Sequence, residues 1–205
     1  MPMTTPTPAE RAPNTLSSPP LDSRRAELER LGFKIIPSSN GVIGARGKFY
    51  WDCGFTKLNV VVFVRQVELL DEATFESLKD EINEISKGVS TTVLPRGFQS
   101  GQAVVGVFIA DQFDEALKHR LGSSRSRGSF AKTFFPILID AKSESASYYQ
   151  KTPLVGGVYY GKFRWLAERL AKPGASDEKE PVSLMGAAVS FAMIAILAGL
   201  LAPFF

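Results

Sequence analysis

From Pro181 to Phe205 the chain carries not one charged residue, whereas the preceding residues hold all 24 Lys+Arg and all 21 Asp+Glu. A stretch apolar on every side of a helix needs a solvent that tolerates it, and hydrocarbon is the natural one. Leu184 to Ala202 is 19 residues, about 28 Å as a helix at roughly 1.5 Å per residue, close to the roughly 30 Å hydrocarbon core of a bilayer. Ten of the residues from Leu184 to Phe205 are Leu, Ile, Val or Phe. At about −0.3 to −0.6 kcal/mol each they favour insertion by roughly −3 to −6 kcal/mol. The sequence therefore predicts one C-terminal transmembrane helix, with 182–205 as the anchor.

Orientation follows from the flank. Lys162, Arg164, Arg169, Lys172 and Lys179 precede the span and nothing charged follows it, so the positive-inside rule keeps the N-terminal side in the cytoplasm. The expected layout is single-pass and tail-anchored. Along the span Ala188, Ala192, Ala195, Gly199 and Ala202 recur at steps of 4 and 3, a spacing that lets two helices approach closely and makes a homodimer seam a candidate.

The other end has a different composition. Residues 1–21 hold six prolines and six Ser/Thr with little to bury, the pattern of a disordered tail and not of a basic-then-apolar secretory signal. Between tail and anchor, 22–172 is expected to be a cytosolic domain, joined by a polar linker at 173–181.

Within that domain the apolar pattern alternates between strand and helix. Asp22 caps a short helix ending near Gly32, and Phe33–Pro37 reads as a strand. Val42–Ala45 and Lys48–Trp51, divided by Arg46-Gly47, suggest a hairpin. Leu58–Val67 is rich in β-branched residues and apolar on both faces, the mark of a central strand. From Asp71 to Ser86, Phe75, Leu78, Ile82 and Ile85 fall on one helical face. A strand at Ala103–Ala110, a helix from Asp111 with Phe113, Leu117 and Leu121, a strand at Thr133–Asp140, a further strand at Leu154–Tyr160 and a helix at Lys162–Lys172 complete the series. The class is α/β, a mixed sheet packed with amphipathic helices. The last helix either closes the core or lies on an anionic membrane surface with Lys162, Arg169 and Lys172 outward.

Chemistry is sparser. The single cysteine, Cys53, excludes a disulfide framework and reads as a buried thiol. One histidine, His119, removes the usual residue of acid/base and zinc schemes. No phosphate loop or Gly-x-Ser-x-Gly elbow occurs, so no cofactor is expected. The net charge of +3 does not argue for nucleic acid. Between Ala116 and Ile139 no acid interrupts Lys118, Arg120, Arg125, Arg127 and Lys132; Arg120, Arg125, Arg127 and Lys132 are candidates for contact with an anion or lipid headgroup. Arg96, Gln99, Tyr159 and Tyr160, in two glycine-rich segments, are candidates for lining a groove.

Ile137-Leu-Ile-Asp-Ala-Lys142 ends an apolar strand in Asp-x-Lys. The pair faintly resembles that of the restriction-endonuclease-like fold, which implies a metal-dependent nuclease using Asp140 and Lys142 with Asp52, Glu68 or Asp111 as a second acid. In that fold the first acid arrives on a hairpin just before the strand, whereas here Asp111 is set apart by a helix. The leading expectation is thus a non-enzymatic interaction or scaffolding module at a membrane surface, and a tethered nuclease is its alternative.

Overall fold

The computed structural model describes residues 19–53, 56–89, 100–123, 132–153, 157–175 and 179–201. Helix α1 (Pro19–Arg30) leads into strands β1 (Lys34–Ile36), β2 (Val42–Tyr50) and β3 (Thr56–Leu70), with a 3₁₀ turn at Trp51–Cys53 between the last two. Helix α2 (Glu72–Val89), β4 (Ser100–Phe113), α3 (Glu115–Ser123), β5 (Lys132–Asp140) and β6 (Ala146–Tyr148) follow. A 3₁₀ turn at Gly157–Tyr159 then opens α4 (Tyr160–Ala171), and α5 (Leu184–Leu201) comes last.

The six strands form one mixed sheet in chain order, β1 to β6. β3, β4 and β5 are parallel to one another; the outer pairings are antiparallel. The class expected from the sequence is thus the one observed, and the layers are now defined. Strand side chains alternate between faces, so Leu58, Val60, Val62 and Val64 of β3 join α1 and α4 on one side, where Leu28, Phe163 and Leu170 complete the core. Val61 and Phe63 point to the other side and meet Phe75 and Ile82 of α2 and Leu117 and Leu121 of α3. Both parallel crossovers lie on that second face. Among the described residues the order of the parallel strands never reverses, so those strands form none of the switch-point crevices in which doubly wound folds hold ligands.

Aromatic packing sets the detail. On the α2 face Phe75 lies edge-on to Phe108 at 5.5 Å, and a side chain at Gly106 would meet the rings of Phe108 and Phe134 at 3.0 Å. On the α4 face Phe135 packs on Tyr160 and Phe163 at 5.5 and 5.4 Å.

Several expectations are corrected. Arg46-Gly47 is no turn: neither residue takes the positive φ that a tight hairpin turn needs, and β2 runs through them, Arg46 opposite Val60 and Gly47 opposite Asn59. β4 continues through Asp111 to Phe113, which pairs with Leu70, so α3 starts later than the composition suggests. Gly157–Tyr160 is a 3₁₀ turn and helix start instead of a strand; Leu154 lies outside the described residues. The short edge strand β6 was not expected. α1 already includes Pro19 and Pro20, because proline fits the first helical turn, where its missing N–H has no partner to lose.

α4 is a core helix, not one lying on a membrane surface. Phe163, Trp165, Leu166, Ala167 and Leu170 are all buried, as are Lys162 and Arg169. Arg169 Nε donates to Glu27 Oε1 at 2.8 Å, and Arg24 donates to the carbonyls of Leu170 and Ala171 at 3.0 and 3.1 Å. A cation on the last carbonyls of a helix satisfies groups that have no intrahelical donor.

Candidate functional site: the junction between domain and apolar helix

The most elaborate polar cluster surrounds the place where α5 leaves the domain, on the 3₁₀ turn that joins β2 to β3. Asp52 is 3% exposed. Its Oδ2 accepts from Lys162 Nζ at 2.8 Å and from the backbone N–H of Ser183 at 2.7 Å. Lys162 Nζ also donates to the Pro181 carbonyl at 2.7 Å and lies 4.6 Å from the centre of the Tyr50 ring. One buried carboxylate and one buried ammonium thus hold both sides of Val182.

Ser183 caps α5, its Oγ accepting from Gly186 N at 3.1 Å, while Ala187 N closes the first helical hydrogen bond on Ser183 O. The helix then presses on the turn. A methyl group at Gly186 would fall 1.8 Å from the Asp52 carbonyl oxygen, so only glycine permits this approach. One turn later Ser190 Oγ donates to the Trp51 carbonyl at 2.6 Å, and the Trp51 ring meets Phe191 edge-on at 6.2 Å. Gly186, Ala187 and Ser190 form the docked face. At 100° per residue Ala188, Ala192 and Ala195 point the opposite way and are exposed.

The linker is fastened as well. Glu180 accepts from Lys48 Nζ at 2.7 Å, from the Tyr50 hydroxyl at 2.6 Å and from Arg46 at 3.3 Å. Burial alone would raise the Glu180 pKa, but these donors outweigh it and hold the carboxyl below its usual range. The same balance governs Asp52, where burial is outweighed by Lys162 and the Ser183 N–H. Burial, with Glu180 beside it, pushes the Tyr50 hydroxyl up. Cys53, on the same turn, is buried and its thiol is pushed up to about 12, first by burial and then by the Asp52 charge.

The residues singled out from sequence are dispersed. Arg120 donates to both carboxylate oxygens of Glu72, at 2.6 and 2.8 Å, and lies over the Phe75 ring. Arg125 and Arg127 lie outside the described residues, as do Arg96 and Gln99; Lys132 opens β5, its backbone opposite Gln102. Tyr159 hydrogen-bonds Thr56 and stacks on Phe163, and Tyr160, 2% exposed, belongs to the core and lines no groove.

Asp140 makes a turn. Its Oδ1 accepts from the N–H groups of Lys142 and Ser143, both at 2.8 Å, and those bonds keep its carboxyl below the usual range. Opposite Ala110 in register, it points to the α2 side, whereas Asp111 alternates to the other. Asp52 sits at the far end of the parallel strands, engaged by Lys162. Among the described residues no cluster of three metal-ligating side chains occurs. Two open pockets, of about 530 Å³ beside Arg65, Glu68 and Asp111 and about 390 Å³ beside Tyr148, Trp165 and Glu168, lie away from the junction.

No protein-family model matches the chain, and no curated protein or solved structure matches it either. Among the described residues no helix is long and apolar enough to cross a membrane. α5 has 18 residues, about 27 Å at roughly 1.5 Å per residue, and its first two turns are engaged with the domain.

Proposed function

We propose that the chain is a membrane-anchored interaction or scaffolding module: α5 and the charge-free residues after it cross a bilayer once, and the α/β/α domain stands on the cytosolic surface. The observation that carries this reading is the junction. A helix with no charged residue leaves the domain through a glycine contact, a serine cap and a buried Asp52–Lys162 pair. Such fastening transmits position and angle from helix to domain, which suits a module that presents its faces to partners at a fixed height. The cations that precede the span support the cytosolic orientation, and the exposed Ala188, Ala192 and Ala195 face leaves room for a second copy in the membrane.

Synthesis in the presence of microsomes tests insertion and orientation together. With an Asn-x-Ser acceptor appended after Phe205, the account predicts glycosylation of the appendage and complete digestion of the domain by added protease. An unglycosylated product recovered in the supernatant contradicts it.

A further inference from the structure

The described surface exposes eight large hydrophobic residues: Phe49, Trp51, Leu69, Val182, Leu184, Phe191, Ile194 and Ile196. Leu184, Phe191, Ile194 and Ile196 are on α5 and Val182 on the chain leading to it, while Phe49 is near the end of β2 and Trp51 belongs to the turn against which α5 packs. Exposed apolar residues scattered singly require no account, but a contiguous group marks a contact surface. Here Phe49 is 58% exposed, Trp51 46%, Val182 55% and Leu184 84%, although Trp51 and the start of α5 are held in place by hydrogen bonds.

We infer that this rim of the domain is itself a lipid contact: Trp51, with Phe49, Val182 and Leu184, enters the interfacial layer of the bilayer when α5 crosses it. The inference rests on the membrane-anchor reading and adds a geometric consequence to it. A span takes about 20 apolar residues, and the charge-free sequence from Pro181 to Phe205 has 25. Gly186, Ala187 and Ser190 fall within the first ten residues of that run, so a span that starts with it includes them, and they are packed on Trp51–Cys53. The turn must therefore travel with the helix to the level where the hydrocarbon begins.

The side chains at that level suit it. Tryptophan prefers the headgroup boundary, where its ring is apolar and its N–H remains wet. Lys57 stands opposite Phe49 in the β2–β3 register and is exposed, so its stem can follow the Phe49 ring while its ammonium reaches lipid phosphate. The charged groups that would oppose entry are already neutralised within the protein, Asp52 by Lys162 and Glu180 by Lys48 and Arg46. The domain is thus seated in the surface by its β2–β3 end, not suspended above it on a flexible linker.

The chain has two tryptophans, and Trp165 is buried in α4. Full-length W165F, or W165Y if that folds better, leaves Trp51 as the reporter. Reconstituted into phosphatidylcholine/phosphatidylglycerol vesicles, it is expected to emit at shorter wavelength than in detergent-free peptide controls. Lipids brominated at acyl carbons 6 and 7 should quench it at least twofold more than lipids brominated at 11 and 12. Protein that floats with the vesicles while Trp51 ignores both bromolipids overturns the inference and leaves the anchor intact. Protein that fails to float removes the anchor reading and this one together.

Discussion

Lys162 Nζ lies 2.8 Å from Asp52 Oδ2, with both side chains at least nine-tenths buried. Their partners come from three parts of the chain: the β2–β3 turn, α4 and the approach to α5. Because Asp52 also accepts from Ser183 N and Lys162 also donates to Pro181 O, removing either charge strands the other in a dry site and releases the apolar helix.

Asp52→Ala is accordingly expected to destabilise the folded protein by about 3–5 kcal/mol, the usual range for breaking a buried pair from one side. Replacing both partners, as Asp52→Ala with Lys162→Met, should recover much of that loss, because no uncompensated charge remains. Denaturant unfolding of the full chain in mild detergent measures both. A double variant no better than the single one would show that the backbone bonds to Ser183 and Pro181 matter more than the charges.

Gly186→Ala should lift α5 from the turn while leaving the sheet folded, since the added methyl meets the Asp52 carbonyl, a backbone atom that cannot swing aside. Ala188→Leu, on the exposed face, should leave the docking unchanged. Tryptic cleavage at the exposed Lys179 reports the difference: severalfold faster in Gly186→Ala than in the parent, and unaltered in Ala188→Leu.

Acid should loosen the same junction. Asp52 and Glu180 both titrate below their ordinary values of 3.8 and 4.5 in the folded protein. Their contribution is therefore complete above those values, begins to fall as the pH drops through them, and is lost only below the depressed folded values. In W165F, Trp51 emission followed from pH 7 to pH 2 should be flat to about pH 4.5 and change below it. A transition centred near pH 6 would point to a different group.

Cys53 offers an independent check on burial. With its thiol pushed up to about 12 and its side chain 5% exposed, it should resist maleimide at pH 8 in the native protein and react within minutes in denaturant. Rapid native labelling would mean that the β2–β3 turn opens.

Much of the architecture was legible in the sequence because hydrophobic periodicity reports burial directly. β3 and α2 bury the residues that their patterns single out, among them Val62, Phe75 and Ile82. What escaped was contact between distant segments. Arg46-Gly47 looks like a turn in isolation, and only its pairing with Val60 and Asn59 makes it strand. Tyr160 sits in a glycine-rich segment that suggests a groove, yet it is claimed by Phe135 and Phe163.

The junction was hidden for the same reason. Glu180 and Lys162 read as linker charge and helix-surface charge, and Asp52 as a possible metal ligand, because nothing local reveals a bond across 110 residues. Gly186 and Ser190 were the available clue: a small residue and a hydroxyl four apart in an apolar run are what a close helix contact requires.

The central claim is that the C-terminal apolar segment resides in a bilayer with the domain fastened to it. Alkaline carbonate extraction of membranes from cells expressing the intact protein tests it most directly. The account predicts that the parent stays in the membrane pellet and that Ile194→Arg with Ile196→Arg shifts to the supernatant, since a central arginine costs about 2.5–3.5 kcal/mol of insertion. Intact parent protein released into the supernatant would contradict it.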